Sequence, residues 1–238
     1  MQFYSGNRLL DQLKNQSNFM VPPAGTWSLL YADRHNQPLI NLVVHNSAET
    51  FAKYKNGLPK FRNILCGTLI VMGPDTFSLR WDTEEKHKIH SGESLFLEFK
   101  FKNLVVSQNY KGKPFNSRAS SFYHVWQSKQ KFVGGVVDID LIRVNNSNFP
   151  VELIEIKRSR ITIDSWLPYS NDKGGYEILD RFCEKQKLQF SIIYYHFDPR
   201  INIENIDNLL VLKKIGEFKF KRIGIFGLEA FISNKYSV

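Results

Sequence analysis

Residues 136–159 read VVDIDLIRVNNSNFPVELIEIKRS. Val136–Val144 is apolar and β-branched, interrupted only by Asp138, Asp140 and Arg143. Asn145–Asn148 is turn chemistry, and Pro150 opens a second apolar run, Val151–Lys157, at a place where a strand tolerates proline. The stretch predicts two strands joined as a hairpin. Strand side chains alternate faces, so Asp138 and Asp140 share one face of the first strand. Glu155 and Lys157 share a face of the second, with Ile154 and Ile156 turned the other way into a core. If the strands pair, one or two Asp, one Glu and one Lys meet on one side. Carboxylates so placed repel unless a cation lies between them. Oxygen-only ligands suit a hard ion such as Mg²⁺, with Mn²⁺ as a substitute, and a neighbouring Lys offsets charge on a phosphate under attack.

Asp140 is followed by Leu141-Ile142 and then, 15 residues on, by Glu155-Ile156-Lys157. This arrangement resembles the PD-(D/E)XK nuclease superfamily, to which many restriction endonucleases and junction resolvases belong. The resemblance covers about a third of the chain, residues 116–197. Two apolar residues after the Asp favour Asp140 as the metal ligand, whereas the preceding Gly135-Val136-Val137 favours Asp138. No Pro precedes either Asp, a departure that the superfamily often shows. The resemblance implies an α/β (α+β) fold with a mixed central sheet flanked by helices, in a restriction-endonuclease-like core over residues 111–238. A β-rich N-terminal region over residues 1–110 is a candidate DNA-recognition part. It implies Mg²⁺ held by Asp140 and Glu155, with Asp138 nearby, and Lys157 orienting the hydrolytic water. A second match, Pro74-Asp75 with Glu98-Phe99-Lys100, spells the motif literally. It spans a strongly polar insertion with no evident helix after it, so a turn plus a solvated strand is its simpler reading.

The chain has 238 residues, 42% of them hydrophobic and 23% charged, enough for one sizeable core or one core with a smaller appended domain. Its net charge of +9 points to a polyanionic partner. Cys66 and Cys183 are the only cysteines, so neither a disulfide framework nor a zinc site is expected and a reducing cytoplasm is the default. No charged-then-apolar leader is read at the N-terminus, and the apolar stretches are far shorter than a membrane span.

Residues 99–137 hold seven Lys or Arg and no Asp or Glu. Lys111 and Lys113 frame a flexible basic loop, with Arg118 close behind, and such a loop lies naturally along a phosphate backbone. Arg158 and Arg160 add a dense basic cluster just after the Glu-x-Lys, where Arg can grip phosphate bidentately. Ser120–Gln130 is the helix candidate ahead of the hairpin. It lacks the acidic residue that the family often places there, and His124, Gln127 or Asn116 are weak substitutes.

Other elements follow from periodicity. Residues 5–15 read as a short amphipathic helix with Leu9, Leu10 and Leu13 on one stripe. Trp27–Tyr31, Leu39–His45, Ile64–Met72, Thr76–Trp81 and Ser94–Phe101 read as strands, and Ala48–Tyr54 as a helix opened by Ser47. Ile161–Ser170 reads as a loop. Tyr176–Lys187 reads as an amphipathic helix with Ile178, Leu179, Phe182 and Cys183 inward, and Phe190–Phe197 as a strand. Strand, helix, strand after Glu-x-Lys is the order of the family core, and a crossover of that kind makes the strands parallel. Ile203–Leu210 reads as helix or loop, then Ile223–Phe226 as strand and Leu228–Ile232 as helix.

The leading expectation is therefore a metal-dependent endonuclease cutting double-stranded DNA, with a type II restriction enzyme acting as a homodimer as the favoured form. Another nuclease of the superfamily (a junction resolvase, a repair or transposition nuclease, or an RNA-cleaving relative) is the alternative. A basic nucleic-acid-binding module without catalysis explains the charge equally well. No Gly-x-Ser-x-Gly, phosphate-binding Gly-rich loop or His-Glu-x-x-His points to another enzyme class.

Overall fold

The computed structural model describes residues 7–23, 25–54, 61–71, 77–81, 134–198, 200–201, 203–217 and 219–236. They divide into two compact units, Pro22–Asp138 and Gly6–Val21 with Ile139–Val238. The expected boundary at 110/111 lies outside the described residues. Both units are built on mixed sheets with few helices, consistent with the α+β class.

In the first unit, β2 (Thr26–Ala32) and β3 (Pro38–His45) pair antiparallel, with Leu29 opposite Leu42. The turn between them is set by Asp33, whose Oδ1 accepts the amides of His35 and Gln37 at 2.8 and 2.9 Å. Helix α2 (Ala48–Tyr54) follows, its Thr50 amide donating to Ser47 Oγ at 3.0 Å as the sequence predicted. It carries the chain to β4 (Leu65–Val71), which pairs parallel to β3. β5 (Phe77–Trp81) pairs with β4 and β6 (Gly135–Asp138) with β2, both antiparallel, giving the order β5-β4-β3-β2-β6. All of β2 is buried, which is why its sequence is nearly continuously apolar. His45 is buried there beside Thr26, ring Nδ1 to Oγ1 3.0 Å, and burial pushes its imidazole down to about 4.

The second unit has the order β1-β7-β8-β9-β10-β11. Its N-terminal pieces are α1 (Arg8–Leu13) and the two-residue β1 (Phe19–Met20). Asn7 caps α1 by accepting the Leu10 amide, and Leu9, Leu10 and Leu13 are buried on the stripe predicted from the sequence. β7 (Leu141–Val144) and β8 (Pro150–Ser159) form the hairpin, with Leu141 opposite Ile154. After a 3-10 turn at Ser170–Asp172, helix α3 (Lys173–Gln186) packs on β8 and β9 (Gln189–Asp198). β8 and β9 are parallel, Glu155 opposite Ile192, while all other pairs in this sheet are antiparallel. β10 (Ile203–Gly216), β11 (Lys219–Phe226) and α4 (Leu228–Ile232) complete the unit.

Two expectations are corrected. The run 136–144 is not one strand. It divides into β6 and β7, which belong to different sheets, and the break falls at Ile139, fully buried, and Asp140, whose carboxylate hydrogen bonds to a backbone amide. Asp138 and Asp140 therefore do not share a strand face. Residues 203–210 are strand, not helix or loop. Pairing with β9 shifts between Asn205 and Leu210, so the polar residues there break the alternation that normally announces a strand.

Arg143, the third charge in the hairpin, is buried. Its Nε donates to Glu152 Oε2 across the β7–β8 pair at 2.9 Å, and its other nitrogens donate to Phe231 O at 3.1 Å, Ile232 O at 3.3 Å and Tyr236 Oη at 2.5 Å. Its guanidinium lies over the rings of Phe19, Phe231 and Tyr236 at 4.5–5.6 Å. Ser191 on β9 donates to the other oxygen of Glu152 at 2.5 Å.

Replacing Arg143 with Ala strands a buried carboxylate, and urea unfolding is expected to show a loss of about 3–5 kcal/mol. Arg143→Met with Glu152→Leu removes both charges and recovers a large part of it. A second outcome concerns acid. Unfolded His45 binds a proton at its ordinary 6.5, whereas folded His45 resists until about 4. The unfolded state thus holds more protons in that window, and folding stability falls by roughly 3 kcal/mol as pH drops through it. Thermal unfolding of His45→Gln between those pH values is expected to lack this slope.

Candidate functional site

β8 lies between β7 and β9, and the two faces of the strand are both occupied. Leu153, Glu155 and Lys157 share one face; Glu152, Ile154, Ile156 and Arg158 share the other. Leu153 and Ile154 are fully buried, and Glu155 is 5% exposed. The acid of the Glu-x-Lys therefore does not sit on a solvated face, and a carboxylate taken this far out of water requires a charged or hydrogen-bonding partner.

Lys157 supplies one. Its Nζ lies 2.8 Å from Glu155 Oε1. It also lies 2.9 Å from Asp172 Oδ2, at the start of α3, and 5.5 Å from the centre of the Tyr176 ring in the first turn of that helix. Burial by itself would lower the Lys157 pKa. The adjoining Glu155 charge and hydrogen bond, helped by Tyr176 and Asp172, outweigh it and hold the ammonium well above the ordinary lysine range. Tyr176 is pushed up in turn, first by burial and then by the Glu155 and Asp172 carboxylates, against the opposing effect of Lys157.

Asp140 reaches the same stretch of β8 from the other strand of the hairpin. Its Oδ2 accepts the Ile156 amide at 2.7 Å, from the residue just before β7 begins at Leu141. The hydrogen bond anchors Asp140 on the residue between Glu155 and Lys157. Asp140, Glu155 and Lys157 thus lie in one unit, with Asp140 bonded to the residue between the other two.

Asp138 ends β6, opposite Leu29 in the other sheet. Arg158 is on the opposite face of β8 from Lys157. Its guanidinium pairs with buried Glu204 and lies 4.8 Å from the Phe197 ring. Arg160, just past the strand, is exposed. Lys111, Lys113, Arg118, the 120–130 helix with His124 and Gln127, Asn116, and the Asp75/Glu98/Lys100 match all lie outside the described residues.

Sequence reasoning missed Asp172 and Tyr176. Asp172 occupies the N-cap position of α3 without making a side-chain cap bond, and pairs with Lys157 instead. A carboxylate just before a helix that follows Glu-x-Lys was the available signal. It was hidden because the helix begins three residues earlier than the pattern 176–187 suggests, through Gly174-Gly175.

Among the described residues, no group of three or more His, Cys, Asp or Glu is arranged to hold a metal ion. Asp140 and Glu155 are both carboxylates, and Mg²⁺ is commonly bound by one or two carboxylates while keeping several waters. No described helix is long and apolar enough to cross a membrane. No family model matches the chain, and no curated protein or solved structure does either.

Lys157→Met leaves Glu155 and Asp172 facing each other without a cation. Chemical denaturation at pH 7 is expected to show a loss near the lower end of the roughly 3–5 kcal/mol seen for broken buried pairs. The deficit shrinks as pH is lowered and the stranded carboxylates take up protons. In the wild type the sign is opposite: a raised Lys157 pKa stabilises the fold at every pH below the ordinary 10.5, and that contribution is lost only as pH rises above it.

Proposed function

We propose that the protein is a Mg²⁺-dependent phosphodiesterase that hydrolyses DNA, as an endonuclease. The observation that carries the reading is the anchoring of Asp140 on the Ile156 amide, between buried Glu155 and the Lys157 that pairs with it. Support also comes from the order of elements: an antiparallel hairpin, then α3, then a strand parallel to β8, the order that the PD-(D/E)XK resemblance requires. The net charge of +9 suits a polyanionic substrate.

Asp140 and Glu155 would hold the ion, and Mn²⁺ fits the same oxygen donors. A bound Mg²⁺ supplies a polarised water and positive charge beside the phosphate. The remaining work falls to the chain. Lys157, kept protonated by its carboxylate neighbours, is a hydrogen-bond donor and not a base. It orients water or a phosphate oxygen and offsets the negative charge that builds up on the pentavalent phosphorus. Asp172 is a positioning residue that holds the ammonium from the helix side. A site-specific enzyme cutting double-stranded DNA as a homodimer is the form this proposal favours, since two sites are needed to cut two strands.

One observation favours a second reading. The Lys157 ammonium is bracketed by two carboxylates, as in a purely structural ion triad, and the protein would then be a nucleic-acid-binding module.

The two readings part in a cleavage assay on unmethylated plasmid and phage DNA with Mg²⁺ or EDTA. The wild type is expected to give discrete Mg²⁺-dependent fragments. Lys157→Ala and Asp140→Asn are expected to cut at least about 100-fold more slowly while keeping salt-sensitive DNA binding. A Mg²⁺-dependent smear would retain the nuclease and remove site specificity. Binding without cleavage by the wild type, on duplex, branched or single-stranded DNA and on RNA, would leave the binding module.

A further inference from the structure

Residues 213–226, KKIGEFKFKRIGIF, carry five Lys or Arg and one acid, Glu217. They form the paired ends of β10 and β11, at the edge of the second unit's sheet. The pleat sorts the five cations onto two faces. Lys214 and Arg222 lie on the face that α3 covers, together with Phe220, whose ring is 5.8 Å from that of Tyr176. Both cations are neutralised there. Lys214 pairs with Asp180 and, at 3.0 Å, with Glu184, both on α3, and Arg222 pairs with Asp164 at 3.1 Å.

Lys213, Lys219 and Lys221 turn the other way. Lys213 and Lys221 are direct partners across the β10–β11 pair, and Lys219 is two residues from Lys221 along β11. Lys219 and Lys221 are exposed and Lys213 is half-buried. Among the described residues none of the three forms an ion pair. The Lys213 ammonium lies 5.4 Å from the centre of the Tyr236 ring, a neutral surface that steadies its stem and leaves its charge uncompensated.

Like charges directly opposite one another on neighbouring strands destabilise a sheet. Lysines on an edge strand guard it against pairing with another chain, which accounts for Lys219 and Lys221. It does not account for Lys213, which sits on β10, between β9 and β11, and creates the repulsion. An anion lying across both strands relieves it. By strand geometry about 5 Å separates the paired lysines and about 7 Å the two on β11. Lysine is a compact charge on a flexible stem, suited to neutralising phosphates without reading bases. Basic clusters that hold anionic lipid carry about four to eight such charges, more than this face offers.

We infer that Lys213, Lys219 and Lys221 form a contact for the phosphate backbone of a nucleic acid, on the face of the sheet turned away from Lys157. Leu212 lies in the row of Ile192 and Glu155, so Leu212 shares the Lys157 face and Lys213 is on the reverse. A backbone held here is not the one presented to Lys157, and the contact adds affinity without chemistry. The choice of a nucleic acid over other polyanions rests on the proposed function, but the residues and the face are different, so the two readings can fail separately.

The test is binding of the full chain to a short mixed-sequence DNA duplex, by fluorescence anisotropy in EDTA over about 50–200 mM salt. Lys213→Gln with Lys221→Gln is expected to weaken binding about tenfold at low salt. Its plot of log K against log salt is expected to be shallower by about 1.8, two phosphate contacts at about 0.9 each. Adding Lys219→Gln removes about 0.9 more. A charge-matched control, Lys185→Gln with Lys187→Gln on the far end of α3, is expected to leave the slope within experimental error. Lys213→Arg with Lys221→Arg keeps both charges and is expected to keep the wild-type slope. Urea midpoints of the Gln pair at or above the wild type would show that the loss is not unfolding. No salt-sensitive binding by the wild type, an unchanged slope in the Gln pair, or an equal drop in the control overturns the inference. So does a Gln pair that loses binding to phosphatidylserine vesicles and keeps it to DNA, which identifies a lipid surface instead. Mg²⁺-dependent cleavage with DNA binding indifferent to the pair would sink this inference alone. Pair-dependent binding by a wild type that never cleaves would sink the nuclease alone.

Discussion

The second unit depends on one cross-strand ion pair. Arg143 on β7 faces Glu152 on β8, both buried, and that register fixes every later residue of the hairpin. A slip of one residue would turn each side chain to the opposite face. Glu152 would then lose its guanidinium, and Asp140 would no longer lie beside the Ile156 amide. Buried ion pairs are poor sources of net stability, because desolvation consumes much of the attraction, but breaking one is expensive. That asymmetry suits a pair that specifies register. Arg143 also gathers the two ends of the unit: Phe19 from β1, the last carbonyls of α4, and Tyr236.

The charges on β8 are distributed over both faces with separate partners. Glu152 pairs with Arg143 and accepts from Ser191; Glu155 pairs with Lys157; Arg158 pairs with Glu204. Glu204 in turn accepts the Arg8 amide at the start of α1, at 2.6 Å. The basic run 157–160 looks like one cluster when written in a line, yet the pleat sends Lys157 and Arg158 to opposite sides. Density of like charge along a strand is thus a poor guide to a continuous patch, and the two residues answer to different parts of the unit.

Much of this was legible in the sequence where the physics is local. Periodicity located α1, β2, β3, β8, α3 and β9, because each buries a regular stripe or an apolar run, and the Ser47 cap located α2. The polar NNSN turn fixed the hairpin, and the pairing of Glu155 with Lys157 followed from the two-residue period. The exceptions are non-local. The break at Ile139 and Asp140 leaves an apolar run intact in sequence while the chain passes from one sheet to another. The first half of β10 hides behind a pairing irregularity. Asp172 and Tyr176 reach Lys157 only because α3 returns over β8, a return that the carboxylate ahead of the helix signals only once the true start of α3 is known.

Tyr176 shows how closely the chemistry of that return is coupled. Its ring lies beside the Lys157 ammonium, while its hydroxyl is buried. An ammonium alone would favour the phenolate. Burial opposes that, and so do Glu155 and Asp172, which repel a second negative charge at Tyr176. The same two carboxylates hold the proton on Lys157. The same acids therefore favour the protonated form of both neighbours: the Lys157 cation beside Asp140's anchoring point and, together with burial, the neutral Tyr176 phenol. Moving either acid alters both, so the charge on Lys157 and the neutrality of the Tyr176 phenol are properties of a single electrostatic unit.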